Sequence, residues 1–254
     1  MRALLFMIMV GLLLAATPVA AAGPLTAVDT GKSTAVVPTA KASDLEVWCQ
    51  MPELTDWAKI ASQIDTAYPF DAGAADDYES PTDYAITEIK WWGGQWNYNG
   101  YPGAAPPCTP DYFVLTFYMY DGCTPPNPAP VAPDYLPHNY FHQEVLTMWD
   151  ETVLDPGYDL REYRANIGPV LQDADRTYWL EIQAGSNFES CGQWGWLTTL
   201  DPVWGCRLQR GFPVLGQPYW SGDAEDNGAA FCLYSDQTVP AQGRTWGSIK
   251  DLYR

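Results

Sequence analysis

ADDYESPTDYAITEIKWWGGQWNY, residues 75–98, is the stretch of this chain that decides its fold. From Ala85 to Trp92 apolar and polar side chains alternate, and a period of two is typical of a half-buried β-strand. The side chains predicted to face the core are those of Ala85, Thr87, Ile89 and Trp91. Acidic residues precede this strand and aromatic residues follow it. We therefore expect ADDYES and GGQWNY to be turn-like flanks, and any specific function of the stretch to lie in them.

Short strands separated by turns are predicted along the rest of the chain. The 22 prolines and 21 glycines interrupt runs that are rich in aromatic and β-branched side chains. These runs are residues 46–50, 111–120, 140–149, 160–167, 178–183, 193–199 and 229–235. Residues 55–64, with Trp57, Ile60 and Ile64 on one side, are predicted to form a short helix. The pattern predicts an all-β fold, an antiparallel, jelly-roll-like β-sandwich with long Pro/Gly-rich loops.

The N-terminus has the features of a secretory signal peptide. Arg2 precedes a short apolar run, and Ala20 and Ala22 form a small-residue cleavage site. No apolar run approaches the ~20 residues that a membrane-spanning helix needs. We expect removal of residues 1–22 and a protein that is secreted or held at the cell surface, with no membrane span.

Composition also divides the remaining chain. Residues 23–43 are small, polar and aperiodic, which predicts a flexible linker. Alternating strand patterns place one β-sandwich domain over residues 44–236, and residues 237–254 are predicted to be a separate C-terminal tail. The proline-rich segment 125–137 is predicted to cross the surface, since proline lacks the N–H that an inner strand requires.

The chain is strongly acidic, with 31 Asp and Glu against 13 Lys and Arg and a formal net charge of −18. Phosphate backbones and anionic lipid surfaces would be repelled by that charge. The composition therefore excludes nucleic acid as a natural partner. It favours a soluble exported protein, and it also suits a protein that concentrates divalent cations.

Six cysteines in an exported protein predict disulfide bonds. The separation from Cys108 to Cys123 equals that from Cys191 to Cys206, and each pair brackets a compact unit with turn signals. We therefore predict these two bonds, and a third that joins Cys49 in the first strand to Cys232 in the last. Structural zinc is disfavoured, because no C-x-x-C pair is present and both histidines lie far from every cysteine.

Several short segments, in order along the chain, resemble an uncharacterised family of secreted bacterial domains. They are EVWCQMPEL, ADDYESPTDYAITEIKWWGGQW, DRTYWLEIQA, WGWLTTLDPVW and AAFCLYS, which together cover residues 46–235. The resemblance implies a β-sandwich and an exported or surface location, and it brings no established activity, cofactor or catalytic residue. Glu79 and Ser80 follow ADDY where the family often has a cysteine, so the disulfide pairing here can differ.

The last residues resemble a short ending that unrelated exported bacterial proteins share. Trp246, Gly247, Ile249, Lys250 and Arg254 carry this likeness. It implies a tail with a sorting, anchoring or docking role. The alternative is a final strand or amphipathic turn packed on the domain.

Calcium is the first candidate ligand, because hard cations take several oxygen donors and acidic loops supply them. One acidic group comprises Asp71, Asp76, Asp77, Glu79 and Asp83, and the second comprises Asp223, Glu225, Asp226 and Asn227. The second group imitates the start of an EF-hand loop, although Tyr234 stands where that loop needs a bidentate Glu. Solvated acidic turns are the alternative for both groups.

Carbohydrate is the second candidate ligand, because sugar rings stack on aromatic side chains while amides and carboxylates bond their hydroxyls. The proposed binding set is Trp92, Trp96, Tyr98, Tyr101, Gln95 and Asn97. Trp194, Trp196, Trp204 and Trp220 form a second aromatic set. The alternative is that these aromatic residues fill a thick core. The hypothesis requires at least one of Trp92, Trp96 and Tyr98 to face water.

The sequence therefore predicts an exported, non-catalytic β-sandwich that binds extracellular glycan. A surface or matrix assembly protein, docking on another surface protein through an edge strand or its tail, is the alternative. A glycosidase is the second alternative, and it requires two carboxylates across a cleft. The two histidines, His138 and His142, give no Ser-His-Asp or Cys-His signature, and His142 is expected to be a half-exposed strand residue.

Overall fold

A computed structural model describes residues 28–34, 45–67, 71–119, 122–123, 140–199, 205–206, 208–211, 221–222 and 228–236 of the chain. The strands are β1 Val28–Gly31, β2 Leu45–Gln50, β3 Trp57–Ala61, β4 Gln63–Asp65, β5 Asp71–Ser80, β6 Tyr84–Trp96, β7 Tyr112–Met119, β8 Tyr140–Leu146, β9 Asp150–Asp155, β10 Leu160–Gln172, β11 Arg176–Ser186, β12 Gln193–Thr199, β13 Gln209–Gly211, β14 Ser221–Gly222, β15 Gly228–Ala229 and β16 Phe231–Ser235. A one-turn helix, α1 Phe188–Cys191, follows β11.

The strands form two sheets. The first sheet has the order β1-β3-β12-β6-β10-β9, with β16 also paired to β6, β2 to β16, and β15 to β12. The second has the order β14-β13-β5-β4-β11-β7-β8, and β5 also pairs with β11. The described pairings are antiparallel except that of β4 with β11. The predicted all-β antiparallel sandwich is therefore confirmed.

The main core lies between the two sheets and is built largely from aromatic rings. Trp91 of β6 stacks on Tyr163 of β10, with ring centroids 5.4 Å apart. Phe113 of β7 meets Trp91 edge-on at 5.1 Å and Trp194 of β12 at 5.2 Å. Such contacts add to the free energy of burying the rings, so this group ties β6, β7, β10 and β12 together.

The outer face of the first sheet carries a second apolar cluster. Neighbouring residues in a strand point to opposite faces, and Trp92 lies in this second cluster while Trp91 lies in the main core. The cluster comprises Leu54, Trp57, Trp92, Leu160, Leu197, Ala230, Cys232 and Tyr234. A strand covered on both faces buries nearly every side chain, and Ile89 through Trp96 are all buried.

Three of the predictions for residues 55–98 are wrong. Residues 57–61 form strand β3, because Trp57 belongs to the outer cluster and Ile60 to the main core, as opposite faces of a strand require. ADDYES is not a turn, since β5 runs through it and buries Ala74 and Tyr78 in the main core. GGQW continues β6 to Trp96.

The predicted linker also contains a strand. Val28–Gly31 pairs with β3 at the edge of the first sheet, with Asp29 opposite Lys59. Ser33 donates a backbone hydrogen bond to the carbonyl of Leu54, 3.0 Å away. A strand of the first sheet thus lies inside residues 23–43. The signal peptide, the crossing 125–137 and the tail 237–254 lie outside the described residues.

The disulfide bonds join Cys49 to Cys232, Cys108 to Cys191 and Cys123 to Cys206. The first is the predicted bond, and the other two predicted pairings are wrong. Cys108 and Cys123 lie on either side of β7, whose length of about 23 Å, at ~3.3 Å per residue, keeps them apart. β12 separates Cys191 from Cys206 in the same way. The two cysteine pairs have equal spacing because each pair flanks one strand, with one cysteine before the strand and one after it.

In the part of the chain that the structure describes, no helix has the length and apolar character required to cross a membrane.

Replacing both Cys49 and Cys232 by Ala should lower the free energy of unfolding by about 5 kcal/mol, because the chain-entropy model assigns that value to a loop of this size. The bond closes a loop of 183 residues and pins β2 to β16. Urea unfolding with the other two bonds intact measures the loss. Replacement of Cys108 and Cys123 serves as the comparison, because it should break two bonds rather than one.

Candidate functional site

The predicted carbohydrate platform is buried. Trp92 and Trp96 have at most 1 % of their surface exposed, and Tyr98 has 5 %. Trp92 lies in the outer cluster, and its indole N–H donates to Glu162 at 3.2 Å. Trp96 packs with Ala61 and Ala72. No side chain of this trio faces water, so the prediction of an aromatic platform is wrong.

The other members of the set hold the fold together. The Gln95 N–H donates to Asp159 at 2.8 Å, and the Asn97 amide donates to Gln193 at 3.2 Å. Tyr101, which is half-buried, donates its hydroxyl to Asp29 of β1. Of the second aromatic set, Trp194 and Trp196 are buried, while Trp204 and Trp220 lie outside the described residues.

The first acidic group does not converge on a cation. Asp76 and Asp77 are neighbours in β5 and point to opposite faces, and Glu79 follows on the side of Asp77. Asp76 accepts the N–H of Ala229 at 2.8 Å, and Asp77 accepts that of Cys206 at 3.1 Å. These carboxyls therefore bind backbone segments that pack on β5.

Among the described residues, one group of three potential ligands lies close enough to hold a metal, namely Glu46 with Cys49 and Cys232. These two cysteines form a disulfide bond, so their sulfur atoms are not thiolate ligands. The acidic group 223–227 lies outside the described residues, and calcium binding there stays a prediction.

Burial changes the acidity of the neighbouring carboxyls Asp76 and Asp77. It raises the pKa of Asp76 well above its ordinary value, with the charge of Asp77 as the second cause. It also raises the pKa of Asp77, to about 7. Raised pKa values are common at catalytic sites. Here the two carboxyl groups face different layers and do not share a cleft.

An exposed edge that the sequence did not predict lies where β8 and β9 meet. β8 ends the second sheet and β9 ends the first, and only residues 147–149 separate them. Neither strand has a second partner among the described residues. We call Val145, Met148 and residues 150–153 the β8–β9 edge.

The β8–β9 edge carries large apolar side chains in water. Met148 is 84 % exposed, Val145 58 % and Val153 48 %. Scattered apolar residues are ordinary on a surface, but these three lie within nine consecutive positions. Residues 150–153 are exposed throughout, so the outer backbone groups of this part of β9 are open to a further strand.

Rigid contacts hold this edge in place. Trp149 packs edge-on against the core residue Phe113, with ring centroids 4.9 Å apart. Glu144 of β8 accepts the N–H of Gly168 in β10 at 3.0 Å, which links the two sheets. His142 is half-exposed, as predicted, and its Nε2 lies 3.5 Å from Glu144.

A surface cavity of about 290 Å³ opens beside the β8–β9 edge. Its lining comprises Glu88, Met148, Trp149, Asp150, Arg164, Ala165 and Asn166. Arg164 is bound to Glu88, with Nη2 2.6 Å from a carboxylate oxygen. Its charge is therefore neutralised within the protein, and Asp150 adds a negative charge at the rim. The cavity combines apolar and acidic groups.

Acidic side chains dominate along β9. Asp150, Glu151 and Asp155 belong to the strand, and Glu151 pairs with Arg161 of β10. Charged residues on edge strands prevent pairing between identical chains. The charges of the β8–β9 edge therefore disfavour pairing with the same strand of a second copy and favour pairing with a strand of opposite charge.

The family model for a domain of unknown function, DUF7901, matches residues 47–210. The chain belongs to this family. The match agrees with the resemblance to an uncharacterised family, and it includes β3 through β12 and hence the whole β8–β9 edge. No curated protein and no solved structure matches the chain.

One sequence signal could have located the edge. Residues 150–155, DETVLD, follow the exposed Met148 and combine acidic residues with a short β-branched run. Charges at both ends of a short strand are typical of sheet edges. The proximity of β8 to β9 at the margin of both sheets depends on the tertiary fold.

Replacing Trp92 by Ala should cost about 3–5 kcal/mol of unfolding free energy, the range for deleting a buried large aromatic. The matched change Met148→Ala should cost no more than about 0.5 kcal/mol, as for other surface substitutions. Urea unfolding of the two variants measures both values. If both substitutions lowered the unfolding free energy equally little, Trp92 would be exposed and the prediction of an aromatic platform would stand again.

Asp77 makes stability depend on pH. Its folded-state pKa of about 7 exceeds the ordinary 3.8, so between these values the folded state holds a proton that the unfolded state releases. Stability therefore falls as the pH rises from about 4 to about 7. Asp77→Asn should reduce that fall in urea titrations, whereas Asp56→Asn, at an exposed site, should leave it unchanged. An unaltered slope in Asp77→Asn would contradict the assignment.

Proposed function

We propose that this protein is an exported, non-catalytic β-sandwich that binds an extended segment of another protein at its β8–β9 edge. The observation that carries the proposal is the exposure of Met148, Val145 and Val153 beside an open strand. Strand addition supplies backbone hydrogen bonds for affinity and side-chain contacts for specificity. The cavity beside Met148, which Glu88 and Asp150 also line, offers space for one side chain of the bound segment.

The charges of the edge select the chemistry of the partner. Asp150 and Glu151 lie on the exposed part of β9, and the whole chain has a formal charge of −18. A complementary segment alternates basic and apolar residues, because side chains of an added strand point alternately to the two faces. A second copy of β9 would instead place acidic residues opposite acidic residues.

Two observations support binding over catalysis or sugar stacking. Asp76 and Asp77, whose pKa values are raised, face opposite layers. The six residues of the predicted sugar platform are used for packing or internal hydrogen bonds. Export itself rests on the signal-peptide pattern and is consistent with three disulfide bonds.

A synthetic peptide of alternating Lys and Val tests the edge. We expect it to bind the full chain in isothermal titration calorimetry, more weakly at high salt because charge contributes. Met148→Lys and Val153→Lys should each weaken binding about tenfold, equivalent to ~1.4 kcal/mol. Met51→Lys alters an apolar residue with 44 % exposure outside the β8–β9 edge, and it should bind as the parent does.

Two further measurements separate the alternatives. A peptide of the same length and charge, in which Pro replaces every Val and every Lys is kept, should not bind, because proline cannot complete the strand ladder. If it binds equally well, the interaction is charge attraction alone and strand addition is wrong. When the protein is sedimented alone, we expect no dimer that is lost on the Met148→Lys substitution. Such a dimer would identify a second copy as the partner.

A further inference from the structure

Lys59 and Asp29 form an unusual pair at the edge of the first sheet. They are directly opposite each other in β3 and β1, and Lys59 Nζ lies 3.1 Å from Asp29 Oδ2. The lysine side chain is fully buried, and 16 % of the aspartate side chain is exposed. A lysine is almost never buried without a specific partner. Here an amine and a carboxyl group are held in contact, away from bulk water.

Aromatic rings surround the amine. Nζ lies 4.9 Å from the ring centre of Tyr101, 5.0 Å from Trp57 and 5.5 Å from Trp96. The carbonyl oxygen of Tyr158 is 2.9 Å away and that of Gln95 is 3.2 Å away. The cage fixes the position of the amine and excludes water, conditions that favour reaction between adjacent groups.

Tyr101 contacts both members of the pair. Its hydroxyl donates to Asp29 Oδ2 and lies 3.3 Å from Lys59 Nζ. Burial and the neighbouring carboxylate of Asp29 raise the pKa of Tyr101, so the hydroxyl keeps its proton. It is placed to deliver that proton to the oxygen that would leave the carboxyl carbon.

We propose that Lys59 and Asp29 condense into an amide bond between Nζ and Cγ. The ammonium first passes a proton to Oδ2 of the carboxylate, 3.1 Å from Nζ, which leaves a neutral amine and a carboxylic acid. The nitrogen lone pair attacks Cγ, and the C–Oδ2 bond breaks as Oδ2 takes the Tyr101 proton. Tyr101 recovers a proton from the nitrogen, and one water is released. No oxidant, reductant or other reactant is required.

The electrostatics of the cage support the first step. Burial lowers the pKa of Lys59 to about 8, opposed chiefly by the charge of Asp29 and also by Asp159 and Asp155. Neutral amine is therefore accessible near neutral pH. Condensation also replaces two charges that are costly to bury by one neutral amide. The amide keeps one N–H, which the Tyr158 carbonyl is close enough to accept.

The bond would secure a strand that is otherwise held by few contacts. β1 is four residues long and pairs with β3 alone among the described strands. The buried pair Lys90 and Glu162 provides a comparison within the same sheet, with a longer Nζ to oxygen distance of 3.6 Å. This inference does not depend on binding at the β8–β9 edge.

Mass spectrometry of the full chain, reduced, alkylated and denatured, tests the bond directly. We expect a mass lower than that of the linear chain by one water. A tryptic digest should contain the peptide ending at Lys32 joined to residues 42–90, without cleavage after Lys59. Cleavage after Lys90 serves as the internal control, because that lysine is also buried in the fold.

Variants identify the reacting groups. Lys59→Arg and Asp29→Ala should have the full linear mass, while Asp29→Asn should lose one ammonia instead of one water. Tyr101→Phe keeps the ring and should lower the linked fraction after refolding. The digest of the parent protein needs no variant to fold. Full mass with only linear peptides would overturn the proposal, as would a water loss mapped to another residue. If Tyr101→Phe formed the bond as rapidly as the parent protein, Tyr101 would have no part in the reaction.

Discussion

The burial of Trp91 and Trp92 on opposite faces of β6 is the constraint on which the rest of this structure depends. One tryptophan stacks in the main core, and the other lies in the outer cluster of the same sheet. Since consecutive strand residues point to opposite faces, both faces must be covered. The inner face packs on the second sheet. The outer face is covered by residues of the connections, such as Leu54 between β2 and β3 and Tyr158 between β9 and β10.

This double coverage determines where binding is possible. The aromatic residues predicted to stack on sugar are buried in the packing, and Asp76 and Asp77 of β5 bind backbone N–H groups. At the β1 margin of the first sheet, Lys59 and Asp29 form an ion pair within the protein. At the margin formed by β8 and β9, exposed apolar side chains lie beside strands that have one partner each among the described residues.

The sequence predicted best the strands that are rich in aromatic and β-branched residues. β12 has the predicted bounds, and β7 and β11 differ from prediction by a few residues. The sequence failed at β3 and β5, which contain alanine, glycine, lysine and aspartate, residues that are depleted in strands. The spacing of Trp57 and Ile60 then imitated a helix. The Asp76–Asp77 pair imitated a turn, since aspartate is depleted in strands.

The sequence by itself determined the class of this protein, because strand periodicity, proline and glycine punctuation and an even number of cysteines are local properties. It also identified the Cys49 to Cys232 bond between the first and last strands it predicted. Only the tertiary structure decided which other cysteines pair, whether the tryptophans face water and which strands end the sheets. Each of these depends on which segments become neighbours across the layers, and the local sequence does not specify which segment packs on a given side chain.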